Sequence, residues 1–83
     1  MVFVQLYLDT SFVELFPNTA REFLQLKTNL AVDALVLYDA QGLEVHTYAG
    51  AQEKIDVSQL HAGLYFLRVV TPNEVQVLPF IRH

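Results

Sequence analysis

Apolar residues in this chain tend to recur at every second position, and that period admits few folds. Val2, Val4, Leu6 and Leu8 alternate with Phe3, Gln5 and Tyr7; Leu24 and Leu26 alternate with Gln25 and Lys27; Val45 and Thr47 sit between Glu44, His46 and Tyr48. Successive side chains of a strand point to opposite faces, so the pattern turns one face to a core and the other to water. Residues 64–71 add a run of aromatic and β-branched side chains, the types that suit a pleated surface. Turn-forming residues punctuate the runs: Phe16-Pro17-Asn18, Asp39-Ala40-Gln41-Gly42, His61-Ala62-Gly63 and Thr71-Pro72-Asn73-Glu74. Strands are expected near residues 2–8, 12–16, 23–28, 34–38, 43–49, 53–57, 64–71 and 74–82. Short strands at this spacing predict an all-β antiparallel sandwich.

Two segments carry a competing signal. Thr19-Ala20-Arg21-Glu22 has the spacing of a helix capping box, and Phe23, Leu26 and Leu30 would share one helical face. Residues 30–37 would suit a helix by propensity. The alternation at 24–27, ended by Thr28-Asn29, favours a strand in the first segment, and a strand is favoured in the second as well.

Composition excludes several function classes. The chain has 83 residues, 53% hydrophobic and 17% charged, which suits one small folded domain and not a disordered tract. Charged residues break every apolar run well short of the ~20 residues a spanning helix needs. A net charge of −4, with the five cations Arg21, Lys27, Lys54, Arg68 and Arg82 scattered, argues against nucleic acid as a partner. The absence of cysteine removes disulfide scaffolds, thiol nucleophiles and most structural zinc sites. Met1-Val2-Phe3-Val4 has neither a cationic n-region nor a cleavage site, so no signal peptide is expected.

Catalytic patterns are equally sparse. Ser11 and Ser58 are the only serines, and neither lies in a nucleophile elbow. His46, His61 and His83 lack paired metal-ligand spacing and read as exposed histidines. Asp56 precedes Ser58 by two positions, a pattern that reads as a turn bonded to its own backbone more readily than as a dyad. Glycines at 42, 50 and 63 are too sparse for a phosphate loop. No catalytic, metal or cofactor site is assigned, and an enzyme is not expected.

The most specific stretch runs from Ile55 to Val69. Within it, Leu60-His61-Ala62-Gly63-Leu64-Tyr65 has the form of a tyrosine corner, in which a hydroxyl at the start of a strand bonds back to upstream backbone. Taken with other markers in order, this stretch resembles the C-terminal sorting domain (type A) of proteins exported by the type IX secretion system of Bacteroidetes. The markers are Phe16-Pro17-Asn18, then Tyr38-Asp39 followed by Gly42 and Val45, then Ile55 through Leu60 and Gly63 to Tyr65, and a last strand ending near Arg82. They span residues 15–83. Thr19 stands where that family has a second proline, and Arg82 stands in place of a lysine-rich finish.

The resemblance implies an immunoglobulin-like antiparallel sandwich of about seven short strands, and a role in recognition. Such domains direct a passenger protein through the periplasm and across the outer membrane to the cell surface or medium, and a surface sortase usually then removes them. The implied partners are the outer-membrane translocon, a shuttle protein, the sortase and an N-terminal passenger. Residues 1–14 match nothing specific and read as a first strand of the same sandwich or as a linker to a missing cargo domain. A generic immunoglobulin-like accessory module is the alternative, either self-associating or binding carbohydrate through a row of aromatics drawn from Tyr7, Tyr38 and Tyr48.

The last hairpin suggests where recognition happens. A tight turn at 71–74 would set Tyr65 opposite Phe80 and Val70 opposite Val75, and such pairs share a face. Tyr65, Leu67, Val69, Gln76, Leu78 and Phe80 fall on one face. Phe66, Arg68, Val70, Val75, Val77, Pro79 and Ile81 fall on the other. If the tyrosine face lies inward, the outward face is still mostly apolar, which makes Phe66, Val70, Val75, Val77 and Ile81 a candidate partner surface. Residues 1–16 or a homodimer mate would be alternative covers. Pro79 cannot donate to a ladder, so this strand is expected at a sheet edge, where a partner strand could also add.

Overall fold

The computed structural model describes residues 12–17 and 19–83; the strand expected over 2–8 and Asn18 of the opening turn lie outside the described residues. Its strands are β1 (Val13–Phe16), β2 (Thr19–Ala20), β3 (Phe23–Thr28), β4 (Ala34–Asp39), β5 (Glu44–Ala49), β6 (Lys54–Asp56), β7 (Gly63–Val70) and β8 (Val75–Arg82). Among the described residues there is no helix. The capping-box spacing at Thr19 is overridden because Leu24 and Leu26 must both reach the core, and only a strand puts alternate residues there.

The strands form two sheets. A three-stranded sheet has the order β1-β3-β6 and a five-stranded sheet the order β2-β8-β7-β4-β5. All pairings are antiparallel except β2 with β8. In immunoglobulin terms β1, β3 and β6 take the places of strands A, B and E, and β4, β5, β7 and β8 those of C, C′, F and G. β2 is one strand more than the sequence led us to expect. It is the continuation of β1 after the chain changes sheets at Pro17, which follows a cis peptide bond.

Leu24, Leu26, Ile55 and Val57 from one side meet Ala20, Leu35, Leu37, Tyr65, Leu67, Val69 and Phe80 from the other. Leu24, Leu35, Leu67 and Val69 are fully buried, and the Tyr65 and Phe80 rings stack at 5.6 Å. β5 departs from the simple alternation. Tyr48, opposite the buried Leu35, is the residue of β5 that packs on the core, Thr47 lies opposite the outward Val36, and Val45 is exposed beside a register shift at Leu37/Tyr38.

Candidate functional site

The β7–β8 hairpin is built by its turn. Thr71 N–H donates to the Glu74 carbonyl at 2.9 Å, the Thr71 hydroxyl donates to the same oxygen, and Glu74 N–H donates back to that hydroxyl at 3.1 Å. The bonded 71/74 pair sets the register, with Tyr65 opposite Phe80, Leu67 opposite Leu78 and Val70 opposite Val75. Tyr65, Leu67, Val69 and Phe80 are buried between the sheets. The other face therefore looks out, carrying Val75, Val77 and Ile81 at 47%, 56% and 49% exposure. Phe66 and Val70, of the same candidate surface, are half-buried among their neighbours on that face, whereas Leu64 at its end is exposed. Ala34, Val36 and Tyr38 of β4 continue the face, opposite Val70, Arg68 and Phe66.

The edge is more subtle than Pro79 suggested. β8 is flanked by β7 and, at Ile81 and Arg82, by β2, so it is an edge strand only over residues 75–80 among the described residues. Bonding positions alternate along an antiparallel pair, so the odd-numbered residues of β8 aim their backbone groups away from β7. His83 N–H shows that parity directly, donating to Ala20 C=O at 2.7 Å. Pro79 shares it, so the missing donor faces the open edge and no β7 bond is lost.

The other motif positions are structural. Tyr65 Oη donates to His61 C=O at 2.7 Å and closes the corner ahead of β7. Gly63 begins β7 at φ 151°, and the half-buried Leu60 packs on the core just before it. Asp39 Oδ1 accepts from Gln41 and Leu43 N–H at 2.9 and 3.0 Å, while Gly42 closes that turn at φ 87°. Asp56 Oδ1 accepts from Ser58 N–H and Oγ–H at 2.8 and 2.6 Å, and these bonds hold its carboxyl below the usual carboxylate range. Arg82 points to the same side as Phe80. Its Nε donates to Val57 C=O at 2.9 Å, its Nη2 to Ser58 C=O at 3.1 Å, and its Nη1 to His83 C=O. The guanidinium thus ties the end of β8 to the β6–β7 loop across the sandwich. The spacing of the motif gave no sign of this, because the Val57 and Ser58 carbonyls are backbone groups 25 and 24 positions away.

His46, His61 and His83 are exposed. No group of three or more metal-ligating side chains comes together among the described residues. A shallow groove of about 320 Å³ beside β3 is lined in part by Phe16, Leu26 and the exposed Lys27 and Glu53. Tyr38 and Tyr48 lie on opposite faces of the five-stranded sheet, because one is opposite the outward Phe66 and the other opposite the buried Leu35. They cannot line up as a sugar-binding row, and Tyr7 lies outside the described residues. The outer face of the smaller sheet is the more polar one, with Lys27 opposite Glu14 and the Lys54 ammonium 4.1 Å from the centre of the Phe23 ring.

Comparison with known families matches residues 14–81 to the secretion system C-terminal sorting domain. A search of the curated proteins finds no match.

Proposed function

This chain belongs to the secretion system C-terminal sorting domain family and is a sorting signal for type IX secretion, and from that premise we propose that the outer face of its β7–β8 hairpin is what the export machinery reads. As type IX cargo it is exported toward the cell surface or the extracellular space. In our reading the domain folds in the periplasm behind its passenger, is recognised by a shuttle protein and the outer-membrane translocon, and is removed by a surface sortase. It performs no reaction itself. Its chemistry is contact.

One observation supports the choice of face. Val75, Val77 and Ile81 each leave about half their surface in water on a hairpin whose other side is already packed. A small domain gains by burying such residues, and exposed apolar patches commonly mark interaction sites.

The experiment is a fusion of residues 1–83 to a reporter carrying a signal peptide, expressed in a bacterium with a functioning type IX system. Reporter at the surface or in the medium is expected. Retention in the periplasm, equal to a control without the domain, would remove the sorting role. Val75→Asp with Val77→Asp should abolish export while the purified domain keeps its melting temperature. Normal export of that double variant would instead move the recognition surface elsewhere on the domain.

A further inference from the structure

The outer face holds one cation that forms no ion pair among the described residues. Arg68 is exposed, opposite Val36 on β4 and Val77 on β8, with Phe66 and Val70 as its outward neighbours along β7. Its guanidinium makes one hydrogen bond, Nη1 to Tyr38 Oη at 3.4 Å, and no ion pair among the described residues. That bond is at the outer limit for the geometry. The other cations are placed differently: Arg82 binds carbonyls, Lys54 sits over Phe23, Lys27 faces Glu14, and the exposed Arg21 lies off this face in the bend between β2 and β3. In a chain of net charge −4, Arg68 is the only cation among the outward positions of β4, β5, β7 and β8.

Covering this face with apolar groups alone would strand a guanidinium away from water, which costs far more than the apolar contact returns. We propose that the occupant is a protein surface that is apolar around a carboxylate, and that this carboxylate pairs with Arg68 through the planar fork of the guanidinium. The proposal rests on the sorting reading and deepens it by naming the chemistry of the partner. A second copy of the chain fits poorly. Outward positions of β7 and β8 carry no carboxylate, so docking hairpin to hairpin would offer Arg68 only apolar groups or another Arg68, and the carboxylate of Glu44, outward on β5 opposite Tyr38, already accepts from the Thr47 hydroxyl at 2.7 Å. An anionic lipid surface fits poorly too, since stable attraction needs a cluster of roughly 4–8 cations.

The reporter fusion tests this with four variants. Arg68→Lys keeps the charge, Arg68→Met keeps the stem without the charge, Arg68→Glu reverses it, and Tyr38→Phe removes the internal hydrogen bond. Loss of one buried charge pair should lower exported reporter about tenfold for Arg68→Met, and reversal should lower it to the level of the control lacking the domain. Arg68→Lys, which keeps the charge but lacks the fork, should fall between the parent and Arg68→Met, and Tyr38→Phe should match the parent. Melting temperatures of the purified 83-residue variants should not change, because the side chain is exposed. Parent-level export of Arg68→Glu, with the parent fusion exported, overturns this proposal and leaves the sorting role standing. Retention of the parent fusion overturns both. Equal losses in Arg68→Met and Tyr38→Phe, or a matching fall in melting temperature, would assign Arg68 to the fold instead. Arg68-dependent pelleting with phosphatidylglycerol vesicles would give the face to lipid, and Arg68-dependent dimerisation in sedimentation would give it to a second copy.

Discussion

At the scale of single residues, the motif positions divide into those that shape the backbone and those that leave a surface. Gly63 belongs to the first group. Its φ of 151° lies where side-chain-bearing residues are rarely found, yet a Cβ there would meet nothing within 4 Å. The penalty for Gly63→Val is therefore conformational and not steric, about 1–3 kcal/mol, and should be read as a lower urea midpoint. An unchanged midpoint would show that the corner does not require glycine. Tyr65 was legible beforehand because the corner is a local device: its hydroxyl reaches His61, four positions upstream. Arg82 was legible only as a terminal cation. Which groups it would bind depended on where the β6–β7 loop came to rest.

At the scale of elements, the hairpin shows how far a period of two carries. Alternation and a four-residue turn are enough to assign each side chain to a face, because register follows from turn geometry. Which face is buried was open until the smaller sheet was in place to cover Tyr65, Leu67 and Phe80. The difference is measurable. Leu67→Ala should cost about 2–5 kcal/mol in chemical denaturation, the usual range for truncating a buried leucine. Val77→Asp, across the same hairpin, should cost no more than about 0.5 kcal/mol. Similar costs for the two would mean that the outer face is covered in the isolated chain. β2 escaped notice because two residues are too few to show a period. β5 misled for another reason, since its pairing sets Tyr48, and not Val45 or Thr47, on the side of the buried Leu35.

For the molecule as a whole, a small two-sheet domain needs ties across its open ends, and Arg82 is one of them. Truncation to Ala frees the Val57 and Ser58 carbonyls, and hydrogen bonds to a charged group are worth about 1.5–3 kcal/mol. The lower part of that range is expected for Arg82→Ala, because the site is only half-buried. Arg82→Lys should recover part of the loss, since an ammonium lacks the fork that spans two carbonyls. Full stability of Arg82→Ala in a thermal melt would mean that the tie is dispensable. The sequence by itself determined the class of fold, the position of most strands, the two faces of the last hairpin and the family, because these follow from a two-residue period, turn chemistry and an ordered set of short motifs. Tertiary structure alone decided that β1 changes sheets to become β2, that Tyr38 and Tyr48 point apart, that Arg82 is consumed by backbone carbonyls, and that Arg68 is left on a largely apolar face with no ion pair among the described residues. Each of those depends on which strands lie side by side, and strand neighbours are set by the burial of a shared core between residues far apart in the chain, which no local pattern encodes.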